Sequence, residues 1–237
     1  MSLGLGGVIL AAGESTRMGR DKALLPWPPP ALSQSPSEIE RGGGGLRNAH
    51  PSRTEREKNG APASGIVSAG TVLSAAIQAL SEFCDMVIVV AGKNALALEP
   101  IAYGCGAFLV RNPDPERGQF SSLQTGLQEV LSRGRDSAMV TLVDRPPPSA
   151  ETLSQLAGEF QKKAHSVWAV VPEYQGKHGH PILIGRELME AFLRAPATAN
   201  AREIEHANQK RIAYIATVDA LVTANMDTPE DYARTGL

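Results

Sequence analysis

The apolar positions of this chain follow two alternating rhythms. Gly7-Val8-Ile9-Leu10-Ala11-Ala12 is an unbroken apolar run, the pattern of a strand buried on both faces of a parallel sheet. Val72, Leu73, Ala76, Ile77, Leu80 and Phe83 then recur at three- and four-residue spacing, which predicts a helix with one buried face. Met86-Val87-Ile88-Val89-Val90-Ala91 is a second buried strand and Ala107-Phe108-Leu109-Val110 a third, with a short helix between them over 94–98. After Gly118, the residues Phe120, Leu123, Leu127, Val130 and Leu131 mark another helix face. A strand over 138–143 follows, then a helix carrying Leu153, Leu156 and Phe160 that Ser149 can cap. Strands over 167–171, 181–184 and 212–215 alternate with helices over 186–193 and 201–206. Thr228 starts a last short helix with Pro229 at its first position. Strand and helix in alternation predict an α/β fold, a mostly parallel central sheet covered on both faces.

The rhythm breaks once. From 28 to 65 the chain carries Pro28-Pro29-Pro30, the glycine run 42–45, scattered serines and charges of both signs, with few apolar residues and no period. Such a segment cannot offset its ordering entropy by burial. It reads as a flexible insertion within one domain spanning 1–237, because no independent core precedes it; its other reading is a mobile lid.

Composition narrows the partners. Hydrophobic residues make up 42% of the 237 and the formal net charge is −2, so there is material for a sizeable core but no global basic field to attract nucleic acid. Cys84 and Cys105 are the only cysteines and do not form a CxxC pair; two buried thiols in a reducing compartment are expected. The first apolar run lacks a basic leader and is too short to cross a membrane. The expectation is a soluble, cytoplasmic protein with no membrane or nucleic-acid partner.

Candidate chemistry collects where strands end. In open α/β sheets ligands bind beyond the carboxyl ends of the strands. At the first such end, Ala11, Ala12 and Gly13 are small enough for a base or phosphate to approach the backbone. Arg17 and Lys22 follow, one able to grip phosphate oxygens bidentately, the other a mobile point charge. Neither G-x-G-x-x-G nor G-x-x-x-x-G-K-[ST] is present, and the same residues would also serve a plain strand-to-helix turn bearing two surface cations. Asp144 ends another strand at the same edge and Asp227 precedes Thr-Pro. Each is either a turn or cap residue or a ligand for Mg²⁺ bridging phosphates. Ser121 and Ser122 open a helix; they either simply cap it or mark an N-terminus that receives an anion or a polar base edge. His178 and His180 flank Gly179, too close together for a structural zinc site without cysteines; a polar wall for a second substrate is the better reading.

Taken together these residues resemble a known family. Leu10-Ala-Ala-Gly-Glu-Ser-Thr-Arg-Met-Gly-Arg-Asp-Lys22 is similar to the L-A-A-G-x-S-x-R-M-G-x-x-K signature of MobA-like nucleotidyltransferases. Asn112-Pro113 through Gly118, Ser121-Ser122-Leu123 and Gly126-Leu127 match that family's next segment. Asp144-Arg145-Pro146, Gly176-Lys-His-Gly-His-Pro181 and Asp227-Thr-Pro-Glu-Asp-Tyr232 match its D-x-P, G-x-x-G-H-P and D-T-P-E-D-Y elements in order. Arg145 departs from the Gln, Met or His usual there, and the 28–65 segment stands where the family has a short connection. The A-A-G loop and the G-H-P turn resemble the molybdenum cofactor cytidylyltransferase branch.

The resemblance implies a three-layer Rossmann-like nucleotidyltransferase fold and a Mg²⁺-dependent enzyme. That enzyme would transfer CMP from CTP to the phosphate of molybdopterin, with pyrophosphate released. It implies that Leu10, Ala11, Ala12 and Gly13 line the nucleotide site and that Arg17 and Lys22 bind the triphosphate. Ser122 would help hold the nucleotide, Asp144 and Asp227 the metal, and His180 would lie near the acceptor. Arg17, Lys22 and Asp144 are the implied catalytic groups. A molybdoenzyme or its maturation factor is the implied protein partner. The alternatives are a sugar phosphate or other phosphorylated acceptor, or a non-catalytic nucleotide-binding partner of a molybdoenzyme. A nicotinamide-dependent oxidoreductase is disfavoured by the missing glycine fingerprint.

Overall fold

The computed structural model describes residues 4–13, 18–30, 70–163 and 166–236. The first apolar run is strand β1 (Leu5–Ala11), which sits near the middle of the sheet. The next two strands are a short antiparallel pair, β2 (Pro26–Trp27) and β3 (Gly70–Thr71). Helix α1 (Val72–Ser81) starts in a capping box, with Thr71 accepting from Ser74 N and Ser74 Oγ accepting from Thr71 N. The chain continues through β4 (Met86–Ala91), α2 (Ala95–Gly104), β5 (Phe108–Arg111), α3 (Gln119–Ser132), β6 (Ser137–Leu142) and α4 (Ala150–Lys163). It ends with β7 (Ala169–Tyr174), β8 (Lys177–His178), β9 (Ile182–Gly185), α5 (Arg186–Arg194), α6 (Ala201–Ala207), β10 (Ile212–Ala216) and α7 (Pro229–Arg234).

The main sheet runs β10-β7-β9-β6-β1-β4-β5. The β5, β4, β1 and β6 ladders are parallel, so all four strands deliver their carboxyl ends to one edge. Only β9 and β8 run against their neighbours. No helix separates them from β7: Gln175 and Gly176, both at positive φ, turn the chain straight back, and a connection that short allows only antiparallel return. The sheet is therefore mostly parallel, as the alternation predicts, with one reversed arm.

β1 shows why its sequence is apolar throughout. Val8 and Leu10 point into a core shared with α3 and α5. Ile9 and Ala11 point into the opposite core, shared with α1, α2 and α4. These two cores make three layers. Gly126 lets α3 lie directly on the sheet: a Cβ there would come within 2.6 Å of Val8 Cγ1 and 2.9 Å of Val90 Cγ2. Phe120 and Phe192 meet edge to face across α3 and α5, with centroids 5.9 Å apart.

Two expectations need adjusting. The helix expected over 94–98 runs to Gly104, because Pro100 removes only one N–H, the partner of the carbonyl on exposed Leu96. Of the two thiols, Cys84 is buried but Cys105 is only half-buried; both are free. Burial and the nearby Asp85 carboxylate push the Cys84 thiol up to about 12, so it stays protonated. From residue 31 onward, the 28–65 insertion lies outside the described residues.

Candidate active site

The carboxyl edge of β6, β1, β4 and β5 opens into a cavity of about 430 Å³. Its walls include Leu10, Ala12 and Gly13 from the end of β1, Lys22, Lys93 after β4, Glu116 and Gln119 around the start of α3, Ser122, Asp144 and Asp227. The cavity brings together residues as far apart in sequence as Leu10 and Asp227.

Lys22 is the electrostatic centre. It is only 8% exposed, and its Nζ donates to Asp227 Oδ1 at 2.8 Å and lies 4.0 Å from Asp144 Oδ2. Its backbone is fixed by the short 3-10 turn Lys22–Leu24, capped by Asp21, whose Oδ1 accepts from Ala23 N. Asp144 follows β6, and its carbonyl accepts from Met226 N at 2.8 Å, which brings Asp227 alongside. Thr228 and Asp231 then form a capping box and Pro229 occupies the first helical position of α7. Tyr232 Oη donates to the Pro26 carbonyl, so α7 closes back onto the segment that follows Lys22.

The donor set suits a hard divalent cation. Asp144 Oδ1 is buried with no hydrogen-bond partner among the described residues, an acceptor waiting for a cation or water. Those residues hold no group of three or more His, Cys, Asp or Glu side chains able to bind a metal. The protein would supply two carboxylate ligands, leaving the other positions to phosphate oxygens and water, as Mg²⁺ prefers.

Ser122 lines the cavity and is held from behind. Asn112 Nδ2 donates to Ser121 Oγ at 2.7 Å and to Ser122 Oγ at 2.9 Å, and Asn112 Oδ1 accepts from Asp114 N. With its oxygen lone pair engaged, the Ser122 hydroxyl can donate to a ligand at the α3 N-terminus. Asn94 performs a comparable task at β1. Its Nδ2 donates to the Ala11 carbonyl at 2.9 Å and to Asp21 Oδ2 at 2.7 Å, and its Oδ1 accepts from Gly92 N. One amide thus ties the exit of β1, the exit of β4 and the turn that carries Lys22.

Of the residues singled out from sequence, Leu10, Ala12, Gly13, Lys22, Ser122, Asp144 and Asp227 meet in this cavity. Ala11 does not line it: the residue is 1% exposed and serves the site through its carbonyl. Arg17 lies outside the described residues. His180 also stands apart from the cavity walls. Its backbone N–H donates to the Val222 carbonyl, and its Nδ1 is buried without a partner among the described residues. Burial, helped by the Arg145 charge and opposed by a backbone contact with Val140, drops its imidazole to about 4. Arg145 Nη1 donates to the Ala224 carbonyl at 3.2 Å. Burial lowers the Arg145 guanidinium from its ordinary value, against the pull of Asp144 and Asp227. His178 forms no polar wall here: it is exposed and stacks on Tyr214, with centroids 3.9 Å apart.

The sequence pattern assigns no role to Lys93, Asn94, Asn112, Glu116 or Gln119. Lys93 and Asn94 directly follow a predicted strand, so the rule that ligands sit beyond carboxyl ends was available to find them. Asn112 belongs to a motif already matched, and only its contacts reveal that it steers Ser122.

The fold and this edge define a protein that handles nucleotides. The model of the MobA-like NTP transferase domain family matches residues 7–34 and 49–212, and the chain belongs to that family. It is a nucleotidyltransferase of the MobA-like type. It is 22% identical over 226 residues to the molybdenum cofactor cytidylyltransferase of Escherichia coli (strain K12), covering 95% of this chain and 92% of that protein. It is 28% identical over 155 residues to a probable molybdenum cofactor guanylyltransferase of Mycobacterium avium (strain 104), covering 65% and 57%. Among solved structures, Rv0371c from Mycobacterium tuberculosis H37Rv superposes with a TM-score of 0.67 at 24% identity, covering 99% and 97%. A complex of Rv0371c with manganese superposes at 0.61, with 21% identity and 97% and 96% covered. These structural likenesses support the fold. No helix among the described residues is long and apolar enough to cross a membrane.

Proposed function

We propose that this protein transfers CMP from CTP to the phosphate of molybdopterin or molybdenum cofactor, releasing pyrophosphate in a Mg²⁺-dependent reaction. The observation that carries the reading is the pairing of Lys22 with both Asp144 and Asp227 at the edge reached by Ala12 and Gly13. An acceptor phosphate is already anionic near neutral pH, so in-line attack on the α-phosphorus needs positioning and charge neutralisation more than a strong base.

Ala12 and Gly13 leave the β1 loop open to the nucleotide, and the Ser122 hydroxyl and the α3 N-terminus hold it. Lys22 and Arg17 neutralise the leaving pyrophosphate. Asp144 and Asp227 would hold the divalent cation, which supplies Lewis-acid stabilisation of the phosphates. His180, kept neutral chiefly by burial and further by the Arg145 charge, would lie near the acceptor. The cytidylyltransferase relative spans nearly the whole chain, which favours CTP and a cytoplasmic role serving a molybdoenzyme or its maturation factor.

The test is a panel of CTP, GTP, ATP and UTP with Mg²⁺, with and without molybdopterin, reading pyrophosphate. Release with CTP that requires molybdopterin is expected. A preference for GTP refutes the choice of nucleotide. Release that needs a sugar phosphate instead refutes the acceptor, and nucleotide binding without release supports a non-catalytic binding partner.

A further inference from the structure

Strand order gives the cavity a direction. Asp144 follows β6, Ala12 and Gly13 follow β1, Lys93 follows β4 and Glu116 follows β5, and these strands are consecutive in the sheet. Three strand spacings separate the first wall from the last, roughly 14 Å, about the reach of an extended nucleoside triphosphate. The Lys22, Asp144 and Asp227 cluster occupies the β6–β1 end and suits the phosphates. The nucleoside therefore falls to the β4–β5 end.

That end holds an ion pair which the reaction as argued so far does not use. Lys93 Nζ lies 2.5 Å from Glu116 Oε1, and both residues line the cavity. Both side chains are well exposed, at 65% and 70%, but they stand on fixed posts. Lys93 lies between Gly92 and Asn94, which are joined by the Gly92 N–H donating to Asn94 Oδ1. Glu116 lies in the 3-10 turn Pro115–Arg117, where Gly118 N donates to the Pro115 carbonyl and Asn112 Oδ1 accepts from Asp114 N. Among the described residues, the charged groups on the cavity wall are Lys22, Lys93, Glu116, Asp144 and Asp227. Of these three carboxylates, Asp144 and Asp227 would hold the metal. The third faces a ligand whose phosphates it would repel, so its use must lie with a group that donates hydrogen bonds.

We propose that Glu116, steadied by Lys93, reads the nucleobase by accepting a hydrogen bond from an exocyclic amino group. A carboxylate accepts from the amino group of cytosine, and it meets only an oxygen at the same position of uracil. Glu116 thus selects amino-bearing bases and excludes uracil. Lys93 holds the carboxylate in place and offsets its repulsion of the phosphates. This inference rests on the nucleotidyltransferase reading of the same cavity.

The test is direct binding of CTP and UTP by calorimetry in Mg²⁺, on wild type, Glu116→Gln, Glu116→Ala and Lys93→Gln. Wild type is expected to favour CTP over UTP. Glu116→Gln, whose amide can face either base, and Glu116→Ala should each reduce the CTP/UTP affinity ratio by about tenfold or more, the value of a hydrogen bond to a charged group. Lys93→Gln should weaken both nucleotides and reduce the ratio less. Because the pair is exposed, the thermal midpoint should stay near wild type in every variant. Equal binding of CTP and UTP by wild type, or an unchanged ratio in Glu116→Gln, overturns the inference while leaving the nucleotidyltransferase reading intact. Failure of wild type to bind any triphosphate removes the reading beneath it as well.

Discussion

Replacing Lys22 with Met keeps the length and apolar stem of the side chain and removes only the ammonium. In the folded protein that ammonium is almost entirely out of water, 2.8 Å from one Asp227 oxygen and 4.0 Å from one on Asp144. Losing one partner of a fully buried ion pair costs about 3–5 kcal/mol. Here the two carboxylates keep 31% and 38% of their side-chain surface in solvent, so water takes up part of the lost interaction and about 1–2 kcal/mol is the expected destabilisation. For a chain of this size that is a fall in thermal midpoint of about 2–8 °C. Function should suffer far more. A preorganised cation at the phosphates is worth about 10²–10³ in turnover, so Lys22→Met should retain its fold and lose pyrophosphate release by that factor. Metal binding should move the other way. Without the ammonium competing for the two carboxylates, Mn²⁺, followed by its electron paramagnetic resonance signal, should bind more tightly to the variant than to wild type. Turnover near wild type would refute the catalytic role of Lys22. Mn²⁺ affinity that is unchanged or weaker would refute the placement of the metal between Asp144 and Asp227.

Four further outcomes follow from the same geometry. Asp144→Asn should abolish Mg²⁺-dependent turnover with an unchanged circular dichroism spectrum, and near-normal activity would remove Asp144 from the metal site. Asn94→Ala leaves the Ala11 carbonyl and Gly92 N–H without their side-chain partner. It should cost about 1–3 kcal/mol in urea unfolding and raise the KM for nucleotide, and unaltered values in both would contradict its role as a tie. Gly126→Ala drives a methyl into Val8 and Val90 and should lower stability by about 1–3 kcal/mol, the usual cost of overpacking, as read by chemical denaturation. His180 titrates at about 4 in the folded chain and near 6.5 when unfolded. Its share of stability is therefore whole above pH 6.5 and lost as pH falls toward 4, by at most about 3 kcal/mol. Unfolding curves of wild type and His180→Asn should diverge over that window, and parallel curves would refute the shift.

How far the sequence could be read depends on what each residue does. Strand β4 and the core faces of α1 and α3 were legible because burial imposes a period, and a period needs no knowledge of partners. Lys22, Asp144 and Asp227 were legible as chemistry because each ends an apolar run or opens a turn. Their convergence on one ammonium is a property of the strand order, which apolar spacing leaves open. The reversed arm escaped for a similar reason: nothing in Ile182-Leu183-Ile184 distinguishes a parallel strand from an antiparallel one. Only the length of its connection does. Ala11 and Asn94 show the limit most clearly. The small residue looked like part of the ligand wall because its side chain is small, yet its carbonyl is what matters, and the group that grips it lies 83 positions away. The electrostatic link between His180 and Arg145 is of the same kind. His180 stands on the reversed arm, Arg145 beyond β6, and both donate to the segment at Val222 and Ala224. That shared tether, rather than either residue alone, holds both against the segment that leads to Asp227. An Arg145→Gln exchange, which keeps an amide donor for Ala224 and removes the charge, is therefore the substitution that separates tethering from electrostatics. If the tether dominates, acceptor KM stays unchanged; if the charge does, acceptor KM rises while that for nucleotide does not.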